Sequence, residues 1–345
     1  MRIAQITPGV IPIPPNGWGA VEKIIWEYTK VLREVGHHVE ILYTDDVKPG
    51  EWDVVHVHMA NLALILRDRG IPYVFSHHDH HAYLLGKDSE VYKKNMEAIR
   101  GSVLSFVHAK YLVDYFESAP QLRYLSHGAN LSDYFFEDRT KAFIGGTPSL
   151  VMMANNGLLG NRLFDRKGFI PGIKSAMDLD LPITIICPRN PNEDFFAANP
   201  EISNYEKLTV LYDLDYQTSL DELRKHHVFL NPGVLEAGHP NLTVAESISM
   251  GIPVVGTMES DLPGMYRVDY DEHVDHKDLT NGITDVLSRY PEYVLDCKEQ
   301  RELLSWEVVV SRMLMEYTSH LKISQRDLIL SDYQNIEIKP RRIED

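Results

Sequence analysis

The stretch from Val228 to Gly256 constrains this chain more than any other. Val228-Phe229-Leu230 is a short apolar run of buried-strand type, and Asn231-Pro232-Gly233 ends it. From Leu242 to Met250 the apolar residues recur at roughly helical spacing, with Asn241 or Thr243 placed to cap the start and Gly251 placed to stop it. Ile252-Pro253-Val254-Val255-Gly256 then reads as the next buried strand. A strand, a loop, a helix and a strand in that order form one unit of a parallel sheet, in which the loops at the carboxyl ends of strands make the ligand crevice.

A helix that starts at such a strand end points backbone N–H groups and a positive dipole end into the crevice, which suits a phosphate or diphosphate. Asn241, Leu242 and Thr243 occupy that start. Glu246, one turn inside, can accept bonds from a ribose diol, and Glu236 in the loop can reach a sugar. The plainer alternatives are a solvated helix face for Glu246 and a loop charge for Glu236.

The same alternation recurs on both sides of this stretch. Arg2–Thr7 is a first strand, followed by a Pro- and Gly-rich loop, an amphipathic helix from Ala20 to Val35, and a second strand at Val39–Tyr43. Further strands are expected at Asp53–His58, Tyr73–Ser76, Ser102–His108 and Leu122–Ser126, with a helix at Lys110–Phe116. Periodicity lapses at Glu137-Asp138-Arg139-Thr140-Lys141 and Gly145-Gly146-Thr147-Pro148 and restarts at Ser149. Strands at Ser149–Ala154, Leu181–Cys187 and Leu208–Tyr212 then join the two of the opening stretch. A chain of 345 residues is long for one core. The expectation is α/β: two doubly wound Rossmann-like domains facing across a cleft, with boundaries at 1–140, a linker 141–148 and a second domain 149–318. A helix is expected at Leu303–Leu321. The tail, 319–345, has too little pattern to assign, and packing back on the amino-terminal domain is one option for it.

Charge and cysteine usage narrow the function classes. The net charge of −16 implies no basic face and weighs against nucleic acid as partner. Two cysteines, Cys187 and Cys297, provide neither a disulfide framework nor a metal-ligand pair, and a reducing cytoplasm is the expected compartment. No apolar run approaches a membrane span.

Three loops carry chemistry. The first holds Gly17-Trp18-Gly19-Ala20 without GxGxxG, so nicotinamide dinucleotide binding has little support; Gly17 and Gly19 either let backbone approach a ligand or simply turn the chain. The second, His77-His78-Asp79-His80-His81, invites a metal reading, but neighbours on an extended segment point opposite ways and no second ligand cluster is visible. A single histidine there, His78, is better placed to touch substrate. The third holds Arg162 and Lys167 at a strand-to-helix junction, a diphosphate site if the two cations converge and a solvated loop if they do not.

Taken in order, these residues resemble the retaining, nucleotide-sugar-dependent glycosyltransferases of GT-B fold, family 4. The resemblance runs through Arg2–Pro8 with Gly17–Lys23, Val54–His58, Phe75–Asp79, Ser126-His127-Gly128-Ala129-Asn130, Arg162–Gly168, Ala245–Val255 and Ser305-Trp306-Glu307. It departs in two places: nine residues separate Glu236 from Glu246 where the family has seven, and His127 stands where asparagine is usual. The resemblance implies an amino-terminal domain that receives the acceptor and a carboxyl-terminal domain that holds a UDP- or GDP-sugar, with transfer to an acceptor hydroxyl. It implies His78, Arg162, Lys167 and Glu236 as catalytic residues. Gly17, Gly19, Gly238, His239, Asn241, Leu242, Thr243 and Glu246 are then the donor-binding residues. Arg162 and Lys167 would neutralise the leaving diphosphate in place of a metal ion, so no metal and no cofactor is expected. The expected acceptor is a glycan or a lipid-linked sugar ahead of nucleic acid, without stable membrane insertion; peripheral association with a membrane is compatible with this. The competing readings are a nucleotide-sugar epimerase of GT-B architecture and a non-catalytic protein that binds sugar nucleotides or glycans.

Overall fold

The structure is a computed structural model that describes residues 1–15, 19–43, 46–78, 81–141, 146–154, 165–234, 240–257, 262–269 and 274–321. The first unit runs β1 (Arg2–Ile6), α1 (Ala20–Glu34), β2 (His38–Leu42), β3 (Val54–Val57), α2 (Ala60–Asp68), β4 (Val74–His77), α3 (His81–Leu84), α4 (Glu90–Gly101), β5 (Leu104–Val107), α5 (Lys110–Tyr115), β6 (Leu122–Tyr124). The second begins β7 (Leu150–Met153), α6 (Phe169–Asp178), β8 (Ile183–Cys187), α7 (Arg189–Ala198), α8 (Pro200–Ser203), β9 (Leu208–Tyr212), α9 (Tyr216–Leu223). It continues β10 (Val228–Asn231), α10 (Leu242–Ser249), β11 (Val254–Gly256), β12 (Met265–Arg267), α11 (His276–Ser288), α12 (Tyr290–Arg301), α13 (Trp306–Leu321).

Each unit is one parallel sheet, ordered β2-β1-β3-β4-β5-β6 in the first and β12-β11-β10-β7-β8-β9 in the second. The order reverses between β1 and β3 in the first sheet and between β7 and β10 in the second. Ligand crevices of doubly wound sheets open outside the carboxyl ends of the strands at such reversal points. The central strands β3, β4, β5, β7, β8 and β10 are buried along their whole length, as a sheet covered by helices on both faces requires. The expected two-domain α/β architecture is present. The second sheet has one strand more than expected, the short, partly exposed edge strand β12.

The last helix ties the units together. Trp306, Val309, Val310, Met313, Leu314 and Tyr317 of α13 pack with Ile3, Ile24 and Tyr28 in the core of the first unit. Ahead of it, Ala129 donates its N–H to Leu304 O at 2.7 Å, and Trp306 donates back to Ala129 O at 3.3 Å. Gly128 lets the indole come this close, since a Cβ there would stand 2.8 Å from the Trp306 ring. The expected second domain, 149–318, therefore ends in a helix whose buried face belongs to the core of the first.

Candidate active site between the two sheets

In the second unit, the loops after β7 and β10 meet at the reversal point. Asp165 accepts the Phe169 and Ile170 N–H groups at 2.9 and 2.6 Å and so caps α6 from four residues ahead of its first residue. Burial pushes its carboxyl group up from the ordinary range, against those backbone donors. Gly168 sits at φ +73°, and a Cβ there would lie 2.6 Å from Pro232 O, so only glycine lets the two loops touch. Val234 completes the junction by donating its N–H to Arg166 O at 2.9 Å. Lys167, half-buried, stands in this junction. Its expected partner Arg162 lies outside the described residues, as do Glu236, Gly238, His239 and Gly17.

Of the two candidate caps for α10, Asn241 serves: its Oδ1 accepts the Val244 N–H at 3.1 Å and the Thr243 hydroxyl at 3.2 Å. The Asn241 amide nitrogen donates to Asn231 Oδ1 at 3.1 Å, which fixes the helix start against the end of β10. Gly251, at φ +79°, follows the helix. Leu242 turns its side chain towards the Tyr28 and Trp306 cluster of the first unit, so the start of α10 faces the opposite sheet.

Glu246 is neither a solvated helix face nor an open ribose acceptor. It is 3% exposed, and its Oε1 accepts from Lys23 Nζ at 2.5 Å and from Tyr134 Oη at 2.9 Å. Lys23 belongs to α1 of the first unit. Its ammonium also donates to Tyr134 Oη at 2.9 Å and Tyr216 Oη at 2.5 Å, and those two phenols contact each other. All three ammonium protons are therefore used. The Lys23 cation lies 4.1 Å from the Tyr216 ring centroid, a cation–π contact. Burial, then the Glu246 charge, raises the Tyr216 phenol well above its ordinary pKa, which keeps it a neutral hydroxyl. Gly19 caps the start of α1 and so positions Lys23 one turn inside that helix.

In the first unit, a cavity of about 370 Å³ opens beyond the carboxyl ends of the paired strands β1 and β3. His58, His78, Glu22, Asn61, Lys94 and Asn95 line it. As strand alternation requires, His77 and His78 part company: His77 is fully buried against Phe116, with ring centroids 4.8 Å apart, while His78 faces the cavity. His78 does not stand alone. Its ring stacks on His58 and His108 at centroid distances of 5.3 and 4.6 Å, and His108 in turn lies 4.8 Å from His127. Burial holds the His108 imidazole down to about 4 and His58 and His78 well below the usual range, so all three are neutral at pH 7.

Sequence reasoning placed Lys23, Tyr134, Tyr216, Asp165, His58 and His108 in no site role. The strand-end histidines carried a signal, since each follows an apolar run at the carboxyl end of a parallel strand. Lys23, Tyr134 and Tyr216 carried none, because the partners of each lie far away in the sequence.

No family model and no curated protein matches the chain. Among solved structures it is similar to a sucrose-phosphate synthase from Thermosynechococcus elongatus at 13% identity and a TM-score of 0.70, over 92% of this chain and 98% of that one. HepE of Anabaena in complex with UDP and glucose is similar at 10% identity and TM-score 0.66, over 92% and 100%. The catalytic domain of starch synthase IV from Arabidopsis thaliana, bound to ADP and acarbose, is similar at 11% and 0.63, over 93% and 99%. Likeness over almost the whole length of each, with two parallel six-stranded sheets, identifies the architecture of this chain as the GT-B fold.

Proposed function

We propose that this chain is a retaining glycosyltransferase that moves a sugar from a UDP- or GDP-sugar to an acceptor hydroxyl. The observation that carries the reading is the junction at the reversal point of the second sheet. There the capped start of α10, the Asp165-capped start of α6 and Lys167 surround the place where two strand-end loops touch. The Phe169, Ile170 and Val244 N–H groups are taken by those caps, so in this reading the diphosphate meets the N–H groups of Leu242 and Thr243 and the Lys167 cation. UDP and glucose on HepE, and ADP and acarbose on the starch synthase, support a nucleotide sugar as donor.

In this reading Lys167 and Arg162 stabilise the charge that develops on the leaving diphosphate, so no Mg²⁺ or Mn²⁺ is needed to bridge its oxygens. The acceptor sits in the cavity of the first unit, with Glu22, Asn61, Lys94 and Asn95 available to its hydroxyls. Its attacking oxygen approaches on the face the diphosphate leaves, and a phosphate oxygen takes the proton, so the anomeric configuration is retained without an enzymic nucleophile. Glu246 holds the ribose only after it releases Lys23. Donor binding then exchanges a cross-cleft ion pair for a hydrogen-bonded diol, and donor entry is coupled to opening of the cleft.

A thermal-shift screen of nucleotide sugars tests the donor. A ligand at 100 times its dissociation constant adds about 2.7 kcal/mol of stability. Stabilisation by a UDP- or GDP-sugar supports the reading, and the same melting temperature with every nucleotide sugar contradicts it. An epimerase is separated by its products, because it acts on the donor without an acceptor.

A further inference from the structure

Four neighbouring strands of the first sheet each place a histidine at or just beyond the carboxyl end: His58 after β3, His78 after β4, His108 after β5 and His127 after β6. Adjacent strands lie about 4.8 Å apart, so side chains at matching heights stack at that spacing. The ring centroids accordingly fall 5.3, 4.6 and 4.8 Å apart along the row.

Hydrogen bonding fixes where the lone pairs are. Gln5 Oε1 accepts from His58 Nε2 at 2.7 Å, which leaves His58 Nδ1 as a base. His58 Nδ1 lies 3.1 Å from His78 Nε2, so His78 donates from Nε2 and keeps its lone pair on Nδ1. His108 donates from Nδ1 to Leu125 O at 2.9 Å, which puts its lone pair on Nε2. That nitrogen is buried and has no hydrogen-bond partner among the described residues. An imidazole that gives one N–H to a backbone carbonyl and turns its other nitrogen to an unmet need has the arrangement of a metal-ligating histidine.

We infer that His78, His108 and His127 form a site for a divalent transition-metal ion, Zn²⁺ or Co²⁺ in type, in the amino-terminal unit. One ring nitrogen from each lies within 4.8 Å of the others. Nitrogens bound tetrahedrally at about 2.0–2.1 Å stand roughly 3.4 Å apart, so closing the set draws each nitrogen inward and turns the stacked His78 and His108 rings about their Cβ–Cγ bonds until both planes contain the ion. Three imidazoles and no carboxylate or thiolate select the borderline ions over Mg²⁺ or Ca²⁺. His78 also lines the cavity, so the fourth position opens there, to water or to an oxygen of a bound molecule. The ion is held by the first sheet, apart from the diphosphate clamp of the second, and its binding does not depend on the transfer reading.

The test is a titration of the full chain, stripped with chelator and dialysed, with CoCl₂ alone and then with ZnCl₂. One equivalent of Co²⁺ with the intense visible bands of a tetrahedral site, bleached by one equivalent of Zn²⁺, is expected. His78→Ala, at the cavity wall, should weaken binding at least about 100-fold, the upper end of what even an outer partner costs, and loss of His78's outer partner in His58→Leu about 10- to 100-fold. His81→Ala, outside the triad, should bind as the parent does. Circular dichroism confirms that each variant is folded. If His108→Asn does not fold, His78→Ala decides alone. No saturable binding by the parent, or unchanged binding by a folded His78→Ala, overturns the assignment.

Discussion

Lys23 Nζ stands 2.5 Å from Glu246 Oε1, so that helix α1 of one sheet unit and helix α10 of the other share one buried ion pair. The two side chains are 18% and 4% exposed, and Tyr134 and Tyr216 complete the set of partners. Charges this far out of water persist only when paired and hydrogen-bonded, and removing one partner leaves the other uncompensated. The pair therefore ties the two units together across the cleft.

Glu246→Gln and Lys23→Met are each expected to destabilise the fold by about 3 kcal/mol, read from urea unfolding. The double variant Lys23→Met/Glu246→Gln should recover part of that loss, since neither charge is then left alone. Strict additivity of the two single effects would mean that the residues do not interact.

Lys167→Ala and Arg162→Ala are expected to slow transfer by roughly 10²-fold each while leaving the melting temperature close to that of the parent. That loss matches about 2.7 kcal/mol of stabilisation at the leaving group. Unchanged turnover in either variant removes that residue from the mechanism.

Gly168→Ala separates architecture from chemistry. At φ +73° a side chain costs about 1–2 kcal/mol, and the new Cβ would press on the Pro232 carbonyl at 2.6 Å, which is backbone and cannot rotate away. Both stability and turnover should fall, because the loops after β7 and β10 are forced apart. A variant of parental stability would show that the two loops are not held together there.

Acid should weaken the fold through His37. Burial lowers its pKa from 6.5 to about 4, so between those values the unfolded chain binds a proton that the folded chain refuses. Its contribution is complete above pH 6.5 and is lost as the pH falls towards 4. In unfolding measured between pH 6 and pH 5, His37→Gln should show a slope against pH smaller by up to about 1.4 kcal/mol per unit. An identical slope would place the acid sensitivity elsewhere.

The two parallel sheets were legible because buried strands such as Val54–Val57 and Val228–Asn231 are short apolar runs broken by turn residues. The start of α10 was legible to within the choice between Asn241 and Thr243 as its cap. Edge strand β12 has only three partly exposed residues, and helix α12 builds its buried face from Tyr290, Tyr293, Val294 and Cys297, a weak apolar stripe. What pairs across the cleft leaves no local trace: Lys23 and Glu246 are far apart in the chain, and only closure of the fold brings them together. The histidine row was half legible. Each member sits at a strand end, but their convergence depends on strand order, and a run such as His77-His78 misdirects by suggesting that neighbours in sequence act together.

The most direct test of the account is acceptor-dependent release of nucleoside diphosphate from the donor that the stability screen selects, with the anomeric configuration of the product read by NMR. The account predicts diphosphate in proportion to sugar transferred, no release without acceptor, and the configuration of the donor kept in the product. Inversion would contradict retention, and failure of every hydroxyl acceptor to elicit release, from a donor that binds, would contradict the proposal that the chain is a transferase.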